Sequence, residues 1–312
     1  MHLGLARHGN GPAGLVAQLA SGRVANVAAA AAARTGELGD LATPKTLIAA
    51  GEAALDRVRG LLSQLSKEDT ETHGAGGFVA EAEAFHFLPP IPDTGKFLCV
   101  GKNYHAHLDE LSRNDLIREI PSEPTGFIKL NSVLSGHGDK VERPEGITTL
   151  DYEPELAFVI GKPAFHVGSP DAMSHVFGIT LFNDLTAREV QKREVASGTR
   201  FWTAKNMPGF GPIGPWIVTM DAVQDVTDLW IGCSVNGEQR QRFNTRDQIH
   251  KFPDIIAHFS RYLPLEPGDI FATGAAAGTA FAQPNAADLY LRPGDVVEIE
   301  IEGLISLQTR IV

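Results

Sequence analysis

Apolar residues beyond about residue 93 occur in short runs or at every second position, which is the spacing of β-strands. The segments with this spacing are KFLCVG (96–101), GFIKL (126–130), ELAFVIG (155–161), HVFGITLFND (175–184), PWIVT (215–219), LWIGCSVNG (229–237), DIFATG (269–274) and DVVEIEIEGLISLQTRIV (295–312). Asn236-Gly237 predicts a hairpin turn, because both residues tolerate positive φ. Helical spacing interrupts the strands at 185–196 and 247–263. This part of the chain is therefore predicted to be β-rich.

The first 92 residues have a different composition, rich in Ala and Gly. Three short strands are predicted there, broken by turns that contain Gly: LGLARHGNG, GLVAQLASG and RVANVAAAA. Thr43-Pro44 begins a helical pattern that runs to about Leu65, and the polar segment 66–77 is interpreted as a loop. Three prolines in FLPPIPDTG (87–95) indicate a boundary. We therefore predict an α+β protein, with a small α/β domain at 1–93 and a β-rich domain at 94–312.

The chain has 312 residues and a net charge of −11. This charge argues against binding to nucleic acid or to an anionic membrane through bulk electrostatics. The longest apolar run, at 24–33, is shorter than the roughly 20 residues of a membrane helix. An export signal is not expected, because Gln18, Ser21 and Arg23 interrupt any apolar core. Cys99 and Cys233 lie in apolar, strand-like segments and are interpreted as buried small hydrophobes. We therefore expect a cytoplasmic protein.

The stretch DYEPELAFVIG (151–161) has acidic residues at every second position before it becomes apolar. On a strand, Asp151, Glu153 and Glu155 would share one face, where two carboxylates can converge on one cation. Asp184, at the end of the apolar strand ITLFND, is the best candidate for a third ligand. Three carboxylates without a His or Cys partner favour a hard ion such as Mg²⁺ or Mn²⁺ over zinc.

The alternative for this acidic stretch is an exposed edge strand, with Asp184 as the N-cap of the helix that follows. Asp151 is interpreted as a solvated residue at the start of the strand rather than a fourth acid of the metal site. Neither spacing nor composition decides between the metal site and the edge strand.

Proton-transfer chemistry is indicated in GKNYHAHLDE (101–110), where His107 and Glu110 face each other if the segment is helical. A carboxylate that orients an imidazole suits the removal of a proton from water, and an incidental ion pair on a surface helix is the alternative. Lys205 could meet an anionic substrate oxygen or extend to the surface. The Gly-rich TGAAAG (273–278) could approach a ligand carboxylate through backbone N–H groups.

Seven motifs, taken in order, resemble the fumarylacetoacetate hydrolase family from about residue 94 to the end of the chain. They are KFLCVGKNYHAHLDE, EPTGFIKLNSVLSGHGD, DYEPELAFVIGK, GITLFNDLTAREVQ, WTAKNMPGFGPIGPWIVT, VNGEQRQRFNT and LEPGDIFATGAAAGT. The resemblance implies a β-rich roll of mixed sheets, a homodimer, and Mg²⁺ or Mn²⁺ held by Glu153, Glu155 and Asp184. The first 92 residues resemble the variable leading domain of longer members only weakly.

The resemblance also implies roles for individual residues. His107, oriented by Glu110, would activate water, and Lys205 would stabilise developing negative charge. The segment 105–122 would order over the substrate as a lid. The residues expected to contact the oxoacid part of the substrate are Lys129, Arg188, Thr273 and Gly274, and Arg188 and Gln191 could instead have a supporting role.

The chain departs from the family pattern at two places that concern the shape of the substrate pocket. Ala276 stands where the family often has proline in T-G-T-P-A-G, and Leu130 and Asn131 stand where many members have prolines after F-x-K. A further polar group after the hairpin is interpreted as a loop, or else as the site of a second substrate carboxylate: Arg240, Arg242, Asn244 and Gln248.

The expected reaction is metal-dependent hydrolysis of a C–C bond in an acylpyruvate-like β-diketo acid, which gives pyruvate and a carboxylic acid. The His–Glu pair favours hydrolysis because it can activate water. The same enolate could be protonated at another carbon, hydrated, or formed by loss of CO₂, so an isomerase, hydratase or decarboxylase of a 2-oxo (di)acid is the alternative. A non-catalytic, metal-stabilised binding protein on the same fold is a third hypothesis.

Overall fold

The computed structural model describes residues 1–113, 122–198 and 202–312. Its strands are β1 His2–His8, β2 Ala13–Gln18, β3 Val24–Asn26, β4 Val79–Ala80, β5 Phe85–Leu88, β6 Phe97–Gly101, β7 Thr125–Ile128, β8 Leu134–Ser135, β9 Lys140–Val141, β10 Leu150–Asp151, β11 Pro154–Ile160, β12 Val176–Asn183, β13 Thr186–Ala187, β14 Gly211–Thr219, β15 Trp230–Val235, β16 Glu238–Asn244, β17 Ile270–Ala272, β18 Val296–Ile301 and β19 Ile305–Ile311. Its helices are α1 Val27–Thr35, α2 Pro44–Ala50, α3 Glu52–Thr72, α4 His105–Arg113, α5 Ser169–Ala172, α6 Arg188–Ala196, α7 Phe252–Ser260 and α8 Ala286–Leu289.

The strands form a large mixed sheet, a smaller mixed sheet and a two-stranded ladder. The large sheet has the order β4-β3-β2-β1-β14-β12-β11-β17-β6-β7, with β5 beside β1 and β8 beside β14. The smaller sheet has the order β16-β15-β18-β19-β9, and β10 pairs with β13. The neighbours β17 and β6, β14 and β8, and β19 and β9 are parallel. Helices together with mixed sheets confirm the predicted α+β class.

The main core lies between the large sheet and the smaller one. Leu156 and Phe158 of β11 are buried in one apolar cluster with Ile231 of β15. The other face of β11 carries Ala157 and Val159, which belong to a second buried cluster. Because β11 is buried on both faces and has a partner strand on each side, the exposed edge strand considered from the sequence is wrong.

The alanine run near the N-terminus differs from its prediction. It is a strand only at Val24–Asn26 and then forms α1, where the Asn26 side chain accepts a hydrogen bond of 3.0 Å from the Ala29 N–H. The physical reason is that alanine is the strongest helix former, and Asn is a favourable N-cap.

The helix predicted from Pro44 to about Leu65 is also different in the structure. It consists of α2 and α3, which are separated at Gly51, where φ is +74°. α3 continues to Thr72, so most of the loop predicted at 66–77 is helical. Most polar residues there lie on the exposed side of the helix, whereas Asp69 is buried and forms an ion pair with Arg23.

The first 93 residues take part in the large sheet, since β1 pairs with β14. They also contain an apolar cluster of their own, to which Leu15 of β2, Ala30 of α1 and Val58 of α3 contribute. The division into two domains near residue 93 stays a prediction.

Other sequence predictions have mixed outcomes. The hairpin at Asn236-Gly237 is confirmed, with φ values of 53° and 79°. Cys99 and Cys233 are confirmed as buried free thiols. The helices predicted at 185–196 and 247–263 are shorter in the structure, where they are α6 and α7, because the residues beside them form strand pairs or turns.

No helix within the described ranges is both long and apolar enough to cross a membrane.

Candidate active site

Three acidic side chains converge where β11 begins and β12 ends. Glu155 lies on β11, Glu153 precedes that strand, and Asp184 directly follows β12. One oxygen from each lies within 4.8 Å of the others, and all three side chains are buried. The Asp184 N–H donates a hydrogen bond of 2.9 Å to the Glu153 carbonyl, which holds the two segments together. The structure thus brings together the three residues that the sequence identifies as metal ligands.

Two expectations about the neighbouring residues are wrong. α6 begins at Arg188 with Ala187 as its N-cap, so Asp184 does not cap it. Asp151 pairs with Thr186 in the ladder of β10 and β13 and is 0% exposed, so it is not solvated. The acids therefore do not share one face of one strand, and Asp151 can be buried because Arg188 neutralises it.

The three converging carboxylates fit a hard divalent cation. Carboxylate oxygens are the ligands that Mg²⁺ and Mn²⁺ prefer. Burial, together with the charges of Asp184 and Glu153, raises the pKa of Glu155 well above its usual range. Burial also acts to raise the pKa of Glu153, but the charges of Lys205 and Arg188 outweigh it and lower that pKa. A cation beside Glu155 would relieve the repulsion between these acids.

Two lysines are buried beside the carboxylates. Lys205 Nζ lies 2.5 Å from Asp184 Oδ2 and 2.8 Å from Thr186 Oγ1, and it also contacts Glu153 Oε2. Lys129 Nζ donates a hydrogen bond of 2.7 Å to Asp184 Oδ1. Burial acts to lower the pKa of Lys205, but Asp184 and Glu153 raise it, so this side chain is a cation. Lys205 does not extend to the surface.

Arg188 joins two of the buried acids. Its Nε donates a hydrogen bond of 2.8 Å to Asp151 Oδ2, and its Nη2 lies 2.7 Å from Glu153 Oε1. Its Nη1 donates to Gln191 Oε1 at 3.0 Å, and the guanidinium carbon lies 4.3 Å from the centre of the Phe281 ring. These contacts favour the supporting role of Arg188; direct contact with a substrate stays a prediction.

His107 and Glu110 form a buried pair on α4, so they are not an incidental surface ion pair. His107 Nδ1 lies 3.1 Å from Glu110 Oε2, while Glu110 Oε1 accepts a hydrogen bond of 2.8 Å from the Gly278 N–H. Because the carboxylate accepts on both oxygens, this network assigns the proton to Nδ1 and leaves Nε2 as an acceptor.

The Gly-rich segment after β17 binds two carboxylates of the protein. The Gly274 N–H donates a hydrogen bond of 2.9 Å to Glu155 Oε2, and the Gly278 N–H donates to Glu110. The sequence suggested that these N–H groups approach a ligand carboxylate, but in this structure both meet carboxylates of the chain itself. The segment 273–278 therefore connects the acid cluster to the His–Glu pair.

Thr273 is held by residues from three other parts of the chain. Its Oγ1 donates to the Leu156 carbonyl at 2.8 Å and accepts a hydrogen bond of 3.0 Å from Gln248 Nε2. The Thr273 carbonyl accepts a hydrogen bond of 2.9 Å from Asn103 Nδ2. Asn103 is a supporting residue that sequence reasoning missed, although it lies in the same NYHAHLDE motif as His107.

The polar group after the hairpin does not act as one unit. Gln248 reaches Thr273, whereas Arg242 pairs with Glu302 at the surface and Arg240 pairs with Glu238. Arg240, Arg242 and Asn244 belong to β16 rather than to a loop. Of the predicted lid at 105–122, α4 covers His105–Arg113, and residues 114–121 lie outside the described residues.

Comparisons with known proteins identify the family of this chain. The model for the fumarylacetoacetate (FAA) hydrolase C-terminal domain matches residues 96–312. Oxaloacetate tautomerase YisK of Bacillus subtilis (strain 168) is 36% identical over 268 residues, which are 85% of this chain and 84% of that protein.

Solved structures cover the whole chain. A putative HpcE protein from Mycobacterium smegmatis has a TM-score of 0.79 at 27% identity and covers 100% of this chain and 99% of that chain. A fumarylacetoacetate hydrolase from psychrophilic Exiguobacterium antarcticum has a TM-score of 0.76 at 29% identity, with the same coverage. By sequence and by fold, this chain belongs to the fumarylacetoacetate hydrolase family.

Proposed function

We propose that this protein is a metal-dependent enzyme that interconverts the enol and keto forms of a 2-oxo dicarboxylic acid such as oxaloacetate. The observation that carries the proposal is the buried pair of His107 and Glu110, which Gly278 ties to the segment that binds Glu155. The Bacillus subtilis relative bears the name of this activity. Enol–keto exchange needs a group that moves a proton and cations that stabilise an enolate, and this site offers both.

His107 is proposed as the acid–base residue. With Nδ1–H held by Glu110, Nε2 takes up the proton that leaves the enol oxygen and delivers a proton to C3. In the reverse direction Nε2 removes a proton from C3. Glu110 keeps the imidazole oriented and stabilises its protonated form. Burial of the pair limits exchange of this proton with bulk water.

The positive charges of the site are proposed to act on the substrate's oxygens. Lys205 would stabilise the negative charge that develops on the enolate. Glu153, Glu155 and Asp184 would hold Mg²⁺ or Mn²⁺, and a divalent ion bound there would act as a Lewis acid toward the 2-oxo group. The residues proposed to contact the oxoacid are Lys129, Arg188, Thr273 and Gly274.

Hydrolysis of a C–C bond in an acylpyruvate-like substrate is the second candidate. The same pair favours it, because His107 Nε2 could take a proton from water while the resulting hydroxide attacks the distal carbonyl. The similarity to the Exiguobacterium antarcticum enzyme supports this alternative. The two reactions share the enolate and differ in whether water or only a proton is added.

The test follows the ultraviolet absorbance of the enol form of oxaloacetate with enzyme and Mg²⁺ or Mn²⁺, before and after EDTA, with pyruvate assayed at the end. We expect metal-dependent loss of the enol band without pyruvate. His107→Ala should abolish it, whereas His105→Ala, an exposed histidine on the same helix, should not. Circular dichroism checks that both variants fold.

Acetylpyruvate as substrate distinguishes C–C bond hydrolysis from enol–keto exchange. Loss of its enol band with one pyruvate per molecule consumed would favour hydrolysis. No metal-dependent change with either compound would contradict both reactions and favour the metal-stabilised binding protein.

A homodimer is proposed from the family resemblance alone. Light scattering coupled to size-exclusion chromatography measures the molar mass in solution, and a mass equal to one chain of 33.5 kDa would contradict the dimer.

A further inference from the structure

Asp151 is a buried carboxylate with every acceptor position used. Its Oδ1 accepts hydrogen bonds of 2.9 Å from the N–H groups of Tyr152 and Ala280. Its Oδ2 accepts a hydrogen bond of 3.1 Å from the Phe281 N–H and one of 2.8 Å from Arg188 Nε. An ionised carboxylate offers about four such positions, so this geometry matches the charged form of the side chain.

Asp151 fixes Arg188 from two sides. It binds Nε directly, and it binds the backbone of Phe281, whose ring lies against the guanidinium. Arg188 Nη2 then forms an ion pair with Glu153 Oε1, while Lys205 Nζ contacts Glu153 Oε2. The orientation of the Glu153 carboxylate is therefore set by two cations, and Asp151 holds one of them in place.

Asp151 also divides the charge of Arg188. With Asp151 present, one guanidinium is shared between two acids. Without that charge, Arg188 would pair with Glu153 alone and neutralise this member of the cluster of Glu153, Glu155 and Asp184 more fully. The stronger pairing would weaken the attraction of the cluster for a divalent ion.

We propose that Asp151 is a positioning residue, which acts through Arg188 to orient Glu153 and to maintain the affinity of the acid cluster for a divalent ion. The proposal rests on the metal site of the proposed function. It concerns a residue that was predicted to be solvated, that has no role implied by the resemblance, and that lies outside the acid cluster.

The proposal is tested with the variant Asp151→Asn. The dissociation constant of Mn²⁺ for the purified protein is measured by electron paramagnetic resonance, which detects free Mn²⁺. The dissociation constant should rise roughly ten- to a hundredfold. Asp269→Asn is the matched control, because Asp269 is equally buried and accepts hydrogen bonds from the Lys96 and Glu266 N–H groups and from Lys96 Nζ. It should lower the melting temperature while leaving Mn²⁺ affinity within about twofold of wild type.

Wild-type affinity in Asp151→Asn would overturn the proposal, and so would an equal loss of affinity in Asp269→Asn. Absence of Mn²⁺ binding to the wild-type protein would instead overturn the metal site of the proposed function. The two failures are thus distinguishable before any activity is measured.

A second comparison tests whether Asp151 acts through Arg188, and it serves even if Asp151→Asn alone does not fold. Arg188→Gln is compared with the double variant Asp151→Asn/Arg188→Gln, which leaves no uncompensated buried charge at this pair. If Asp151 acts through Arg188, the two variants should bind Mn²⁺ with the same affinity, within about twofold. A further loss in the double variant would contradict the proposed route.

Discussion

Gly278 and Glu110 are joined by a hydrogen bond of 2.8 Å from the glycine N–H to the carboxylate, across 168 residues of sequence. The other oxygen of Glu110 faces His107 Nδ1. The same segment binds Glu155 through the Gly274 N–H. One short stretch of backbone therefore positions both the candidate acid–base pair and the candidate metal site, which makes its geometry a determinant of activity.

Gly278→Ala should disturb this connection. Gly278 has a φ of +103°, and an added Cβ would lie 2.7 Å from Gln241 Cγ. We expect a destabilisation of about 1 kcal/mol or more and a decrease of kcat by roughly ten- to a hundredfold, because a small displacement of Glu110 misplaces the imidazole. Steady-state kinetics and thermal melting measure the two effects.

Gly303→Ala is the control for Gly278→Ala. Gly303 also has positive φ, +71°, but an added Cβ there has no atom within 4 Å. It should lower stability without changing kcat. Equal loss of kcat in both variants would show that backbone strain in general, rather than the Gly278 contact, limits activity.

Glu155→Gln should abolish the stabilisation of the protein by Mn²⁺ without destabilising the metal-free protein. Burial, with the charges of Asp184 and Glu153, raises the pKa of Glu155, so keeping it ionised at neutral pH opposes folding; a neutral amide removes that opposition. In wild type, Mn²⁺ at a hundred times its dissociation constant should stabilise by about 2.7 kcal/mol. Differential scanning fluorimetry should show this shift in wild type and in Glu298→Gln, an exposed acid on β18, but not in Glu155→Gln. If Mn²⁺ raised the melting temperature of Glu155→Gln as much as that of the wild type, Glu155 would be excluded as a metal ligand.

Lys205→Met should separate stability from metal affinity. Removing the ammonium leaves Glu153 Oε2 and Asp184 Oδ2 without this cation, which should destabilise the metal-free protein by about 3–5 kcal/mol. The stabilisation by Mn²⁺ should be larger than in wild type, because a positive neighbour of the ion is gone. Chemical denaturation with and without Mn²⁺ measures both quantities.

Lys96→Met is the control for Lys205→Met. It removes the partner of buried Asp269 at 2.9 Å and should destabilise the fold while leaving the response to Mn²⁺ unchanged. A smaller response to Mn²⁺ in Lys205→Met than in wild type would contradict the proposed closeness of Lys205 to the metal.

Cys99 and Cys233 should not react with thiol reagents in the native protein. Burial raises the pKa of both thiols, and neither side chain reaches solvent, so thiolate is scarce and inaccessible. Titration with an aromatic disulfide should detect neither thiol before denaturation and both after it. Ser174→Cys, at an exposed position, gives the rate of an accessible thiol, and a comparable rate in the wild type would contradict the burial.

Features that depend on the spacing of neighbouring residues could be predicted from the amino-acid sequence. Alternating and continuous apolar runs located most strands, and Asn236-Gly237 located a hairpin, because these patterns depend on neighbouring residues. The spacing of His107 and Glu110 brought them together on one helix turn. The order of motifs indicated the family and, with it, the three converging carboxylates.

Which charged side chains are buried, and which groups bind them, could not be predicted in this way. Asp151 looks like a solvated residue in sequence, yet it binds the Ala280 N–H, 129 residues away. The hydrogen bond between Gly278 and Glu110 is likewise invisible to any local pattern. A charged side chain can be buried only where partners from distant segments satisfy it, and those partners are supplied by the packing of the whole chain rather than by neighbouring residues.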